Sequence, residues 1–107
     1  MRVLFDQGTP APLRQSLASA HEVSTAYERG WSTLKNGELL EAAEAAGFDV
    51  LVTTDTNLRY QQNLAKRRIG VVVLTTTSWP RIQAVAHAVA RAVAGVSPAD
   101  YVEVTIP

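Results

Sequence analysis

Three segments of this chain are apolar without interruption through their middles: Arg2–Phe5 (RVLF), Asp49–Thr54 (DVLVTT) and Gly70–Thr75 (GVVVLT). A strand that faces water on one side alternates apolar and polar residues, whereas a strand covered on both sides does not. These three therefore read as strands of a parallel sheet buried between two layers. Two further segments fit the same sheet less strongly. Glu22–Thr25 (EVST) is the weakest. Tyr101–Ile106 (YVEVTI) alternates, with Val102, Val104 and Ile106 pointing one way and Tyr101, Glu103 and Thr105 the other. That alternation predicts a half-exposed edge strand.

Helical spacing fills the intervals. Pro10–Ala20 puts Leu13, Leu17 and Ala20 on one face, with Thr9 placed to cap it and Pro10 at the first helical position. Gly37–Ala46 aligns Leu39, Leu40, Ala43 and Ala46, with Asn36 as its cap and Gly47 as its stop. Leu58–Arg67 reads as a shorter turn or helix. Pro80–Ala94 is the longest, with an apolar stripe of Ile82, Val85, Ala86, Val89 and Val93. Its start is signalled by Ser78 or Trp79, and its end by Gly95 and Pro98. Strict alternation of strand and helix is the signature of a wound α/β domain with an open, mainly parallel five-stranded sheet. No repeat, low-complexity tract or linker divides the chain, and 107 residues suit one domain, 1–107.

Composition narrows the chemistry. The absence of cysteine removes thiol catalysis, thiolate zinc sites and disulfides. The opening apolar run is too short for a secretory signal, and no segment approaches an 18-residue membrane span. A cytoplasmic location without a membrane partner is the expectation. Ten basic and ten acidic residues cancel, so any contact with nucleic acid must come from a local patch.

Carboxylates mark one edge of the expected sheet. Right-handed crossovers put every strand's C-terminal end on the same edge, and ligands bind there where the strand order reverses. For the order 2-1-3-4-5 the reversal lies between the first and third strands, which end in Asp6 and Asp55. Strands about 4.8 Å apart bring two such carboxylates close enough to repel, unless a cation or hydrogen-bond donors offset the repulsion. The helix opening at Asn36 starts from this edge and brings Asn36 and Glu38 within reach. Oxygen ligands so gathered suit a hard divalent ion such as Mg²⁺ or Mn²⁺, which activates water and stabilises charge on a phosphoryl group. Either aspartate alone would be an ordinary turn former or cap.

The succession of a strand ending in Asp6, then Asn36-Gly37-Glu38-Leu39-Leu40, then Val52-Thr53-Thr54-Asp55-Thr56-Asn57-Leu58 resembles the short bacterial PIN-like domains. These look like trimmed relatives of the PIN ribonucleases, many of them toxins of toxin–antitoxin pairs. The resemblance covers nearly the whole chain and is strongest around Leu51–Leu58. It implies metal-dependent hydrolysis of RNA phosphodiesters. Asp6, Asp55 and Glu38 would be the catalytic acids, Asp6, Asp55, Asn36 and Asn57 the ligands of Mg²⁺ or Mn²⁺, and an antitoxin protein the partner. Asn36 and Asn57 stand where the family usually carries Asp. An amide keeps a carbonyl ligand and loses a charge, which weakens attraction for a divalent ion. Those two amides favour the alternative of a catalytically degenerate domain that binds protein or RNA without cleaving.

Other features carry less. In Leu58-Arg59-Tyr60-Gln61-Gln62-Asn63, Arg59 could meet a phosphate and Tyr60 could stack on a base, or the run is a solvated turn of helix. Lys66 and Arg67, with Arg68, form the basic run, which could contact phosphate or be a solvated face. His21 and His87 read as surface residues without a nucleophile beside them. Trp31 and Trp79 read as packing residues. The alanines of the last helix permit close helix approach, and the edge strand invites pairing across a two-fold axis, so a homodimer is expected. A phosphoacceptor receiver domain shares the strand order, but Asp6 is single and no lysine follows Leu74.

Overall fold

The structure, a computed structural model, describes residues 1–58 and 63–107. Five strands, β1 (Arg2–Phe5), β2 (Glu22–Thr25), β3 (Val50–Thr53), β4 (Gly70–Leu74) and β5 (Tyr101–Val104), form one sheet in the order β2-β1-β3-β4-β5. All four pairings are parallel, including that of the outer strand β5. The expected strand order and fold class are therefore those of the protein.

Alternate residues of the central strands feed two cores. Val3, Phe5, Val50, Val52, Val72 and Leu74 pack on one face, beneath Leu13 and Leu17 and beneath Ile82, Val89 and Val93. Leu4, Leu51, Val71 and Val73 pack on the other, against Leu39, Leu40 and Ala43 and against Phe48, Leu58 and Ile69. Every residue of β3 and β4 is buried, which is why those strands are written without alternation. Strand β5 contributes Val102, Val104 and the following Ile106 to the first core and Tyr101 to the second, as its alternation predicts.

The first and last helices are shorter than their periodicity suggests. The first interval holds a 3₁₀ turn, Ala11–Leu13, and one turn of helix, α1 (Arg14–Leu17). Pro10 has extended backbone and is the cap residue rather than the first helical one. Thr9 does not cap this helix because its hydroxyl is held by Asp6 and by the carbonyl of Val52. Helix α2 (Asn36–Ala45) begins one residue early, with Lys35 at the cap position. It ends as its glycine predicts. Gly47 takes a φ of 82°, its N–H reaches the Glu44 carbonyl, and the Phe48 N–H reaches that of Ala43. The last helical interval is broken in two, α3 (Trp79–Ala84) and α4 (Ala86–Gly95), at Val85, whose backbone leaves the helical region at φ −124° and ψ 28°. No proline or glycine stands at the break. It falls on a β-branched residue, a weaker helix former than its alanine neighbours, that packs against the first core. Between Asn63 and β4 lies a 3₁₀ turn, Leu64–Lys66. Among the described residues, no helix is long and apolar enough to cross a membrane.

Candidate active-site edge

The pairing of β1 with β3 aligns Phe5 with Val52. Continued by one step, the same register sets Asp6 beside Thr53, while Asp55 lies two residues further along the chain. A hydroxyl thus links the Asp6 carboxylate to the Asp55 backbone. The Thr53 side chain, essentially fully buried, donates to Asp6 Oδ2. Its oxygen in turn accepts the Asp55 backbone N–H at 3.1 Å.

Each aspartate is also tied locally. Asp6 closes the turn that leaves β1. Its backbone carbonyl accepts the Thr9 N–H at 3.2 Å, and Oδ1 accepts both the Thr9 N–H at 3.1 Å and the Thr9 hydroxyl at 2.7 Å. Asp55 Oδ1 accepts the Asn57 N–H at 2.9 Å, an Asx turn that shapes the chain leaving β3. Its Oδ2 accepts the side-chain amide of Asn36 at 2.6 Å. This charge-assisted contact explains why Asn36 sits inside the first turn of α2 instead of capping it. It also holds Asp55 near the positive end of that helix. Donors from Thr9, Thr53, Asn57 and Asn36 offset the carboxylate repulsion expected at this edge.

The remaining expected residues are distributed unevenly. Glu38 is exposed, and its Oε1 accepts the Lys35 N–H at 3.4 Å, so its carboxylate turns back on the helix start. Asn57 is exposed and engages Asp55 through its backbone N–H. Arg59 and Tyr60 lie outside the described residues. Lys66 is exposed in the 3₁₀ turn that precedes β4. Arg67 donates to Glu44 at 2.9 Å. Because α2 runs away from Asp55, Glu44 and the basic run lie at the opposite edge of the sheet, where the strands begin. Burial opposes ionisation of Glu44, but the Arg68 N–H at 2.7 Å and the Arg67 guanidinium outweigh it and hold the carboxyl below the usual range.

Sequence reasoning missed Thr9 and Thr53, the two buried polar side chains of the edge. The signal available was a threonine ending an otherwise apolar strand at Thr53, and at Thr9 the three-residue spacing from Asp6. The Thr53–Asp6 and Thr9–Val52 contacts follow only from the β1–β3 register.

The edge offers oxygen ligands alone, the donor type a hard divalent ion prefers. Each of the four carboxylate oxygens of Asp6 and Asp55 has a hydrogen-bond donor; among the described residues, Asp6 Oδ1 accepts two, and the other three accept one each and keep a further lone pair. Mg²⁺ is commonly held by one or two carboxylates together with water and substrate phosphate rather than by an all-protein cage. Two carboxylates of this kind fit such an ion. Among the described residues, no group of three or more acidic, histidine or cysteine side chains gathers here or elsewhere. No family model, no curated protein and no solved structure matches the chain.

Proposed function

We propose that this chain is a PIN-like domain that hydrolyses RNA phosphodiesters with Mg²⁺ or Mn²⁺ at the edge formed by Asp6 and Asp55, as the toxin of a toxin–antitoxin module. The reading is supported above all by the two aspartates that follow adjacent strands where the strand order reverses, Thr53 bridging the Asp6 carboxylate and the Asp55 backbone N–H. A bound ion supplies Lewis-acid activation of water and neutralisation of phosphoryl charge. The chain's own residues do the rest. Asp6 and Asp55 present oxygens to the ion. Thr53 fixes the Asp6 carboxylate by its hydroxyl, and Asn36 and the Asn57 N–H fix that of Asp55. Glu38, on the first turn of α2, is the remaining acid for proton transfer, after turning away from the Lys35 N–H.

The hydrogen bonding of all four carboxylate oxygens favours a second reading, in which the domain binds RNA or a protein without cleaving. Cleavage of a mixed-sequence RNA in millimolar Mn²⁺ separates the two. The nuclease reading expects cleavage by the wild type, its loss in Asp6→Asn, and its increase when Asn36→Asp and Asn57→Asp restore the family's acids. No cleavage by either the wild type or the restored variant overturns it in favour of the binding module. The exposed edge of β5 is also proposed as a homodimer contact. Light scattering at high protein concentration should give twice the 11.6 kDa chain mass, and a monomeric mass removes the dimer.

A further inference from the structure

Helices α1 and α4 lie side by side over the first core, but α1 is a single turn and leaves the space beside α4 unfilled. A groove of about 440 Å³ remains. Ser16 and His21 line it from the α1 side, and His87 and Arg91 from α4, over a floor of Leu17 and alanines. His87, Ala90, Arg91 and Ala94 follow helical spacing, so the two polar side chains of α4 share one face, a turn apart. No carboxylate lines the groove. Glu22, next to His21 in sequence, faces Arg2 at 3.9 Å, and Glu28 is bound by Arg14. Among the described residues, neither His87 nor Arg91 has an ion pair or hydrogen bond, so a guanidinium and an imidazole share this groove without an acceptor.

The His21 ring is set for donation. The Met1 ammonium lies 3.3 Å from Nδ1. An ammonium can only donate, so Nδ1 is the acceptor and the ring proton is on Nε2. Burial, and then the charge of that ammonium, hold His21 below the usual imidazole range. The ammonium charge, the smaller of these two causes, also favours an anion beside the ring.

We propose that the groove between α1 and α4 is a binding site for a phosphate dianion, inorganic or the monoester group of a small ligand, held by Arg91, His87, His21 and Ser16. A guanidinium fork matches two phosphate oxygens at once, while imidazole N–H and hydroxyl donors serve the others. The volume lies in the range of small-molecule sites. The apolar floor accommodates the body of an ester.

Histidine side-chain NMR of the whole chain at neutral pH tests this, with sodium phosphate titrated against sodium chloride of matched ionic strength. Phosphate should shift the His21 and His87 ring signals saturably, and chloride should not. Arg91→Gln should weaken the phosphate affinity by about tenfold or more, since hydrogen bonds to charged groups contribute roughly 1.5–3 kcal/mol. Arg91→Lys should recover part of it, and Arg81→Gln, on α3 outside the groove, should bind as wild type. A melting curve for each variant confirms the fold, and Arg91 is exposed, so its replacement leaves the core intact. Identical responses to phosphate and chloride overturn the proposal. So does wild-type affinity in Arg91→Gln, or a response only to an oligonucleotide whose phosphates are all diesters.

Discussion

The hydroxyl of Thr53 donates to Asp6 and accepts the Asp55 amide, and its burial makes both contacts costly to lose. Thr53→Val keeps the shape but strands an aspartate oxygen and a backbone N–H, and should lower stability by about 1–3 kcal/mol. Thr53→Ser should recover most of that loss. Urea denaturation measures both, and a valine variant as stable as wild type would remove the hydroxyl from this account. Asp55→Asn, in the absence of metal, should also destabilise, by about 1–2 kcal/mol, because it weakens the charge-assisted contact with Asn36. Simple relief of carboxylate repulsion predicts the opposite sign. Sequence reveals Asp6 and Asp55 because each ends an apolar run and a strand's end is a local signal. It conceals Thr53, whose partner Asp6 is chosen by a register joining residues 47 positions apart, and the contact of Thr9 with the Val52 carbonyl, 43 positions away, though the bond of Thr9 to Asp6 is local.

At the scale of elements, burial on both faces is the property most legible in the chain. Val72 is wholly buried in β4, between β3 and β5. Val72→Asp should cost more than about 3 kcal/mol, since the charge has no partner there. A cooperative thermal transition near that of wild type would contradict the two-layer cover. Helix lengths were less legible than strands. The helical period runs on through Val85, yet the backbone breaks there, and Thr9 is diverted from its helix by Asp6. Both outcomes depend on packing or hydrogen bonding beyond the helix. Arg67 shows the same limit. Its place in the basic run suggests phosphate contact, but its guanidinium is engaged by Glu44 of α2, 23 positions earlier in the chain.

For the molecule as a whole, the titrations of the partly buried His21 and Glu44 shape the pH dependence of stability. His21 is held below its ordinary value of about 6.5, so the folded state binds its proton less readily than the unfolded chain. Its influence is absent above that value, and stability declines as pH falls below it. Glu44 is also held low, so its contribution is complete above the ordinary carboxylate range and is lost as pH falls through it. Denaturation between pH 7 and 5 should show a decline that His21→Gln reduces, and Glu44→Gln should flatten the later decline below pH 4.5. The central claim, an ion held by Asp6 and Asp55, is tested most directly by the melting temperature of the wild type with and without Mn²⁺. An ion that binds only the folded state adds about 1.4 kcal/mol at ten times its Kd, a rise of several degrees for a domain of this size. The account predicts that rise in the wild type and its absence in Asp6→Asn. A wild-type melting temperature unmoved at millimolar Mn²⁺, or an equal rise in Asp6→Asn, would contradict it.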